Sequence, residues 1–206
     1  MSSETVPTIA SASEIVAANC FAPLDLPALF GRSAPVEVDL GCGEGSFLAA
    51  IAAANPARNF LGLERQPGRV RSASRKLEQR GLTNARVLAF EISYAVAEML
   101  PADSVTAFHL MFPDPWPKRR HAPRRVFSDR FLATVSRALV PGGVLNVATD
   151  HTPYFDEIRR RAQQATDLME ISPPSGVMAV TKFEKIFTSL GAEIHRLSLR
   201  KTSPVT

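Results

Sequence analysis

The chain is poor in the residues that build metal sites and covalent cross-links. Among 206 residues it has two cysteines, Cys20 and Cys42, and four histidines. The cysteine spacing fits neither a zinc motif nor a disulfide framework, which points to a reducing, cytosolic setting. His109, His121, His151 and His195 show no metal-ligand spacing, so no metal is expected. A run of 18 apolar residues is lacking, and with it any expectation of a membrane-spanning helix. The opening stretch MSSETVPTIASASEIVAANC has no charged segment followed by an apolar core, and so is not read as a secretory signal. Internal repeats and low-complexity tracts are missing too.

What is present is globular. The composition is 45% hydrophobic and 21% charged, enough for one domain with a sizeable core. Residues 1–34, rich in Ser, Ala and Pro, read as an N-terminal arm for which partial order is allowed, and 35–206 as the folded domain. The net charge of +4 is a mild bias whose meaning depends on where the charges lie.

From Pro35 onward, strand-like and helix-like segments alternate. VEVDL (36–40), NFLGLE (59–64), ARVLAF (85–90), VTAFHLMF (105–112) and GVLNVAT (143–149) read as strands. Helices are expected after Gly45 as far as Pro56, over 67–80, around Tyr94 to Met99, over 127–139 with Pro141-Gly142-Gly143 as terminator, and over 153–169. The tail AEIHRLSLRK (192–201) alternates as a half-exposed, antiparallel strand does. This order predicts an α/β fold, Rossmann-like, with a mostly parallel twisted sheet covered by helices on both faces. Right-handed crossovers bring the loops that follow the strands to one rim, where ligands of such sheets bind. Asp39 to Gly45, Glu64, Phe112 to Lys118, and Asp150 should therefore meet in one crevice.

The loop DLGCGEG (39–45) joins a strand to a helix, and Gly41, Gly43 and Gly45 allow a sharp turn and close approach to a ligand. Glu64 ends the next strand, where a carboxylate accepts hydrogen bonds from a ribose diol. Acidic Asp39 and Glu44 crowd the loop. Negative charge is poor for a pyrophosphate but suits a cofactor with an amino group and a sulfonium, as S-adenosylmethionine has. The loop resembles the cofactor motif of class I methyltransferases, which implies that Asp39 faces the methionine amino end.

The most distinctive stretch is FPDPWPKRRHAPRR (112–125), where a proline-flanked aspartate and a tryptophan precede five Lys or Arg in eight residues. It closely resembles the signature of the bacterial tRNA (guanine-N7-)-methyltransferase family. ATDHTPYF (148–155) and TKFE (181–184) resemble two further family motifs in the same order. The resemblance covers about residues 35–200 and implies methyl transfer from S-adenosylmethionine to N7 of a guanine in the tRNA variable loop. It implies cofactor contacts from Asp39, Gly41, Gly43, Glu64, Glu91 and Asp114, and substrate contacts from Lys118, Asp150, Thr181, Lys182, Phe183 and Glu184. The chain departs from the family pattern at Glu91, where relatives carry Asp or Asn followed by Ala, at His151 in place of Trp, and at Ala122-Pro123.

N7 of neutral guanine has a free lone pair, so the attack removes no proton from it and no general base is needed. Such a site must align donor and acceptor, exclude water and tolerate positive charge growing on the purine. Asp114 suits that task, and the resemblance makes it the catalytic residue, accepting hydrogen bonds from the guanine N1–H and exocyclic amine. Pro113 and Pro115 are expected to hold Phe112 and Asp114 extended. Lys118, Arg119, Arg120, Arg124 and Arg125 are expected to grip RNA phosphates. The basic residues of 69–80 read as an exposed face. Asp150 reads as a substrate contact or as the N-cap of the helix after it, and His109 as a satisfied core residue. Other readings are a class I methyltransferase acting on another base or small molecule, and an inactive relative that binds RNA. The partner expected is tRNA, with the chain a monomer or homodimer in the cytoplasm.

Overall fold

The computed structural model describes residues 8–9, 13–16, 22–173, 188–189 and 191–202. In chain order the elements are β1 (Thr8–Ile9), β2 (Glu14–Val16), α1 (Leu26–Phe30), β3 (Val36–Leu40), α2 (Ser46–Ala54), β4 (Asn59–Glu64), α3 (Pro67–Gln79), β5 (Ala85–Ala89) and α4 (Ile92–Tyr94). A π-helical turn, Ala95–Met99, follows, then β6 (Val105–Met111), a 3₁₀ turn Arg119–Arg124, α5 (Asp129–Ala138), β7 (Leu139–Thr149), α6 (Thr152–Ala162), β8 (Leu168–Ile171) and β9 (His195–Lys201).

The nine strands form one sheet in the order β1-β2-β5-β4-β3-β6-β7-β9-β8. Strands β2, β5, β4, β3, β6 and β7 run parallel, while β9 pairs antiparallel with β7 and β8 antiparallel with β9. The order reverses between β3 and β6, which is the switch point where a crevice opens beyond the carboxyl ends of the strands. All six residues of β4 are buried, as expected of a central parallel strand covered on both faces.

Two apolar layers sandwich the sheet. One packs α1, the π turn, α5 and α6 over Val38, Leu61, Leu88, Phe108 and Leu145. The other packs α2 and α3 over Phe60, Ala85 and Val87. Adjacent residues such as Phe60 and Leu61 go to opposite layers because strand side chains alternate. Helices α2 and α3 approach closely at Gly45, which has φ 71° and lies where an added Cβ would stand 2.7 Å from the Cβ of Ala73. Gly45→Ala is therefore expected to combine left-handed strain with overpacking. A loss of about 2–4 kcal/mol, and a melting midpoint roughly 5–10 °C lower, should be seen by circular dichroism.

Within the stretch read as an arm, β2 pairs with β5, Ile15 is fully buried, and Leu26, Leu29 and Phe30 join the core. Two sequence expectations change. Helix α5 stops at Ala138, before Pro141-Gly142-Gly143. Leu139 is already a buried strand residue facing Val105, and the Pro-Gly-Gly segment sits where the β6–β7 register shifts. The helix expected over 153–169 ends at Ala162, because Leu168 onward pairs with the last strand. His109 is a satisfied core residue, as expected: its Nε2 lies 2.8 Å from Glu37 Oε2.

Candidate active site

One large crevice, with a volume of about 1030 Å³, opens at the switch point. Asp39, Gly41, Gly43, Glu64, Glu91, Asp114 and Asp150 all line it, so residues from five separate strand ends do converge. Lys118 is exposed and lies outside that lining. Thr181, Lys182, Phe183 and Glu184 lie outside the described residues.

The glycine turn grows directly out of β3. The N–H groups of Gly41 and Cys42 both donate to the Leu63 carbonyl at 2.9 Å, which pins the turn to β4. Gly41 and Gly43 have φ of 79° and 55°, and a Cβ at Gly43 would stand in open space, so the backbone forms a bare cradle. Lys76 of α3 clamps the far side, its ammonium donating to Glu44 O at 2.6 Å and Ser46 Oγ at 2.7 Å. The Cys42 thiol is buried, and burial pushes its pKa well up, with Asp39 and Glu64 adding to the effect. It is an inert packing group.

The carboxylates of this half differ in their needs. Glu64 is buried, and its Oε1 accepts from the Gln66 N–H at 2.8 Å. Asp39 is 3% exposed, and its Oδ2 has no hydrogen-bond partner among the described residues. Burial, and secondarily the neighbouring Glu64, raises the Asp39 pKa to about 8. An orphaned buried carboxyl oxygen on the wall of a crevice is complementary to a cationic ligand group. Glu91 N-caps α4, its Oε2 accepting from the Tyr94 N–H at 2.9 Å, so it lines the crevice while holding its own helix.

The other half is the proline corner. Phe112 still belongs to the sheet, its N–H donating to Ala148 O at 2.8 Å. Phe112 then turns off the rim with φ 53°, and Trp116 has φ 43°. Extended geometry was expected at Phe112. Leaving the sheet within one residue of that last hydrogen bond demands a reversal, and the left-handed region supplies it. Both residues precede a proline, and such conformations cost on the order of 1–3 kcal/mol each, so neighbours must hold them in place. Asp114 is exposed at the tip, with no hydrogen-bond or ion-pair partner among the described residues.

Asp150 is not the cap of α6. His151 takes that role, its Nδ1 accepting from the Tyr154 N–H at 3.1 Å, which leaves the half-buried Asp150 carboxylate to the crevice.

The described side chains of the basic run do not share one environment. Lys118 and Arg120 are exposed, and the Arg124 guanidinium lies 5.0 Å from the centroid of the Trp116 ring, on the crevice wall. Arg125, expected with the others at the RNA phosphates, turns inward onto the Pro115 carbonyl. Its adjacency to four other cations hid this in the sequence, although the apolar Val126-Phe127 that follows marks where the chain dives into the core.

The family model described as "Putative methyltransferase" matches residues 33–197. The tRNA (guanine-N(7)-)-methyltransferase of Sodalis glossinidius is 36% identical over 186 residues, covering 87% of this chain and 78% of the relative. The chain belongs to the tRNA (guanine-N(7)-)-methyltransferase family. A second member, from Halorhodospira halophila, is 38% identical over 184 residues, covering 86% of this chain and 79% of its own length. Among solved structures, a 16S rRNA methyltransferase, KamB, superimposes with a TM-score of 0.62 over 88% of this chain and 95% of that one. At 19% identity this likeness concerns the fold. Two departures from the family pattern now have local explanations: Glu91 and His151 each cap the helix that follows it. No helix among the described residues is long and apolar enough to cross a membrane, and no group of three or more metal-ligating side chains occurs among them.

Proposed function

We propose that the chain transfers a methyl group from S-adenosylmethionine to N7 of a guanine in the tRNA variable loop, forming 7-methylguanosine. The observation that carries this reading is the shared crevice, lined both by a bare glycine cradle with an orphaned acid and by the acid of the proline corner. S-adenosylmethionine supplies an electrophilic methyl group on a cationic sulfonium. Asp39 receives the cofactor's ammonium end, Glu64 its ribose hydroxyls, and Gly41 and Gly43 the close backbone approach, with Glu91 near the base. Asp114 accepts from the donor edge of guanine and stabilises the charge that grows on the purine as N7 attacks. Asp150 and Lys118 contact the substrate nucleotide and its backbone, and the segment Thr181 to Glu184 meets both substrates. The reaction takes place in the cytoplasm, and the chain needs no other protein to perform it.

Incubation with methyl-labelled cofactor and unmodified bulk tRNA, followed by nucleoside analysis, tests the reading. Label in 7-methylguanosine is expected. Label in a different nucleoside, or none despite cofactor binding seen by calorimetry, would refute it.

A further inference from the structure

The strained corner that carries Asp114 needs a support, and one guanidinium supplies it. Arg125 Nε donates to Pro115 O at 2.8 Å, and its Nη2 reaches Trp116 O at 3.4 Å, so the fork spans two successive carbonyls of the corner. Its Nη1 pairs with Glu157 of α6, and its plane lies over the Tyr154 ring, 4.9 Å from the centroid. Glu157 is itself held by Arg161 Nε at 3.2 Å, and Arg161 Nη1 donates to Asp129 Oδ1 of α5 at 2.8 Å. Tyr154 is fully buried, its hydroxyl accepting from the Phe127 N–H at 3.4 Å. The side chains of Arg125 and Glu157 are 13% and 17% exposed, so a phosphate reaches this guanidinium only if the brace is broken.

We propose that Arg125 is a positioning residue for methyl transfer: paired with Glu157, it ties the Pro113-to-Trp116 corner to α6 and so fixes Asp114 relative to Asp150. The topology makes this coupling direct. Helix α6 begins at Thr152, two residues beyond Asp150, while Asp114 directly precedes Pro115, whose carbonyl the brace holds. Two acids on different loops are thereby referred to one rigid helix. A lysine at 125 keeps the charge but loses the planar fork that reaches two carbonyls and a carboxylate together. The inference rests on the function proposed above for the same crevice.

The test compares Arg125→Lys and Glu157→Gln with the wild-type chain. Steady-state kinetics on tRNA should show kcat lowered about 10- to 100-fold in each variant, as expected when reacting groups shift by about an ångström. KM for tRNA should stay within about twofold, and the slope of log binding constant against log salt should not change, since no phosphate contact is lost. A phosphate-gripping Arg125 predicts the opposite. Arg125→Lys would then keep kcat, and Glu157→Gln would free the guanidinium and tighten tRNA binding.

Trp116, the one tryptophan in the sequence, reports on the corner without any tRNA. Its fluorescence should become more accessible to acrylamide in both variants, with cofactor affinity unchanged. Wild-type kcat in either variant, or unchanged quenching in both, overturns the brace. Absence of 7-methylguanosine with the wild-type chain would instead overturn the function, and the quenching result would still decide on the brace. Melting curves accompany each variant, and a loss of kcat that tracks unfolding, with quenching unchanged in the folded fraction, counts against the proposal.

Discussion

Asp114→Ala will abolish measurable 7-methylguanosine formation, with kcat falling at least about 10²–10³-fold, while the cofactor still binds. The carboxylate stands at the tip of a corner whose backbone is held on both sides, by the Phe112 N–H on Ala148 and by Arg125 on Pro115. Among the described residues it has no partner that would hold it in place for structural reasons, so its removal should leave the fold intact. In the proposed reaction its role is electrostatic: a fixed negative charge meets a purine that becomes cationic only as the new bond forms, which favours the transition state over the ground state. Asp114→Asn separates charge from shape, since it keeps the size and can still accept one hydrogen bond. It should lie between alanine and wild type. Single-turnover kinetics with calorimetric titration of the cofactor would check both variants. A variant at position 114 with near-normal turnover would remove the residue from the chemistry.

The second large effect concerns Asp39. Burial and Glu64 raise its pKa to about 8, so in the ligand-free chain near neutrality it is mostly protonated. The proposed contact with the cofactor's ammonium needs the carboxylate, so binding is expected to release up to one proton at pH 7. Affinity should rise by nearly tenfold per pH unit between about pH 6 and pH 7, and flatten as pH approaches about 8. Calorimetry in buffers of different ionisation enthalpy would count the protons. Asp39→Asn should abolish that proton release and weaken binding by about 10²-fold or more, as expected on losing one partner of a buried charge pair.

The same shift acts on folding with a definite sign. The folded chain keeps a proton that the unfolded chain loses near pH 3.9, so from about pH 4 to about pH 8 the ligand-free protein loses stability as pH rises. The slope is at most about 1.4 kcal/mol per unit. Asp39→Asn should flatten that stretch of the stability–pH curve and raise stability at pH 8. Chemical denaturation across this range, with wild type and variant showing the same slope, would contradict the assignment.

Much of the site was legible because its parts lie where strands end. VEVDL, NFLGLE and VTAFHLMF are β-prone runs that each deliver a carboxylate or the proline corner at the carboxyl end, and a parallel sheet has only one such rim. The glycine turn and Glu64 could be placed from spacing, and Asp114 from the strand it follows. Less visible were features that depend on partners distant in sequence. Leu168–Ile171 reads as the continuation of a helix until Ser198 to Lys201 lie beside it. Glu14–Val16 is too short to announce a strand, and its place beside β5 comes from the sheet edge it covers. The Phe112 reversal runs against the usual preference of a residue before proline, and it follows directly on a last sheet hydrogen bond to Ala148 that the sequence does not announce.

The sequence alone determined the alternating α/β pattern, the bare glycine cradle, and the pairing of an acidic corner with a basic run, because these follow from side-chain periodicity and from the backbone limits of glycine and proline. Tertiary structure decided which charges do which work. It buried Asp39 beside Glu64 and so raised its pKa, gave the capping of α6 to His151 and left Asp150 to the crevice, and turned Arg125 inward onto Glu157 while Lys118, Arg120 and Arg124 stayed at the surface. A charge in sequence carries only a sign. Its solvation and its partners, which set its energy and its task, exist only once distant segments have packed around it.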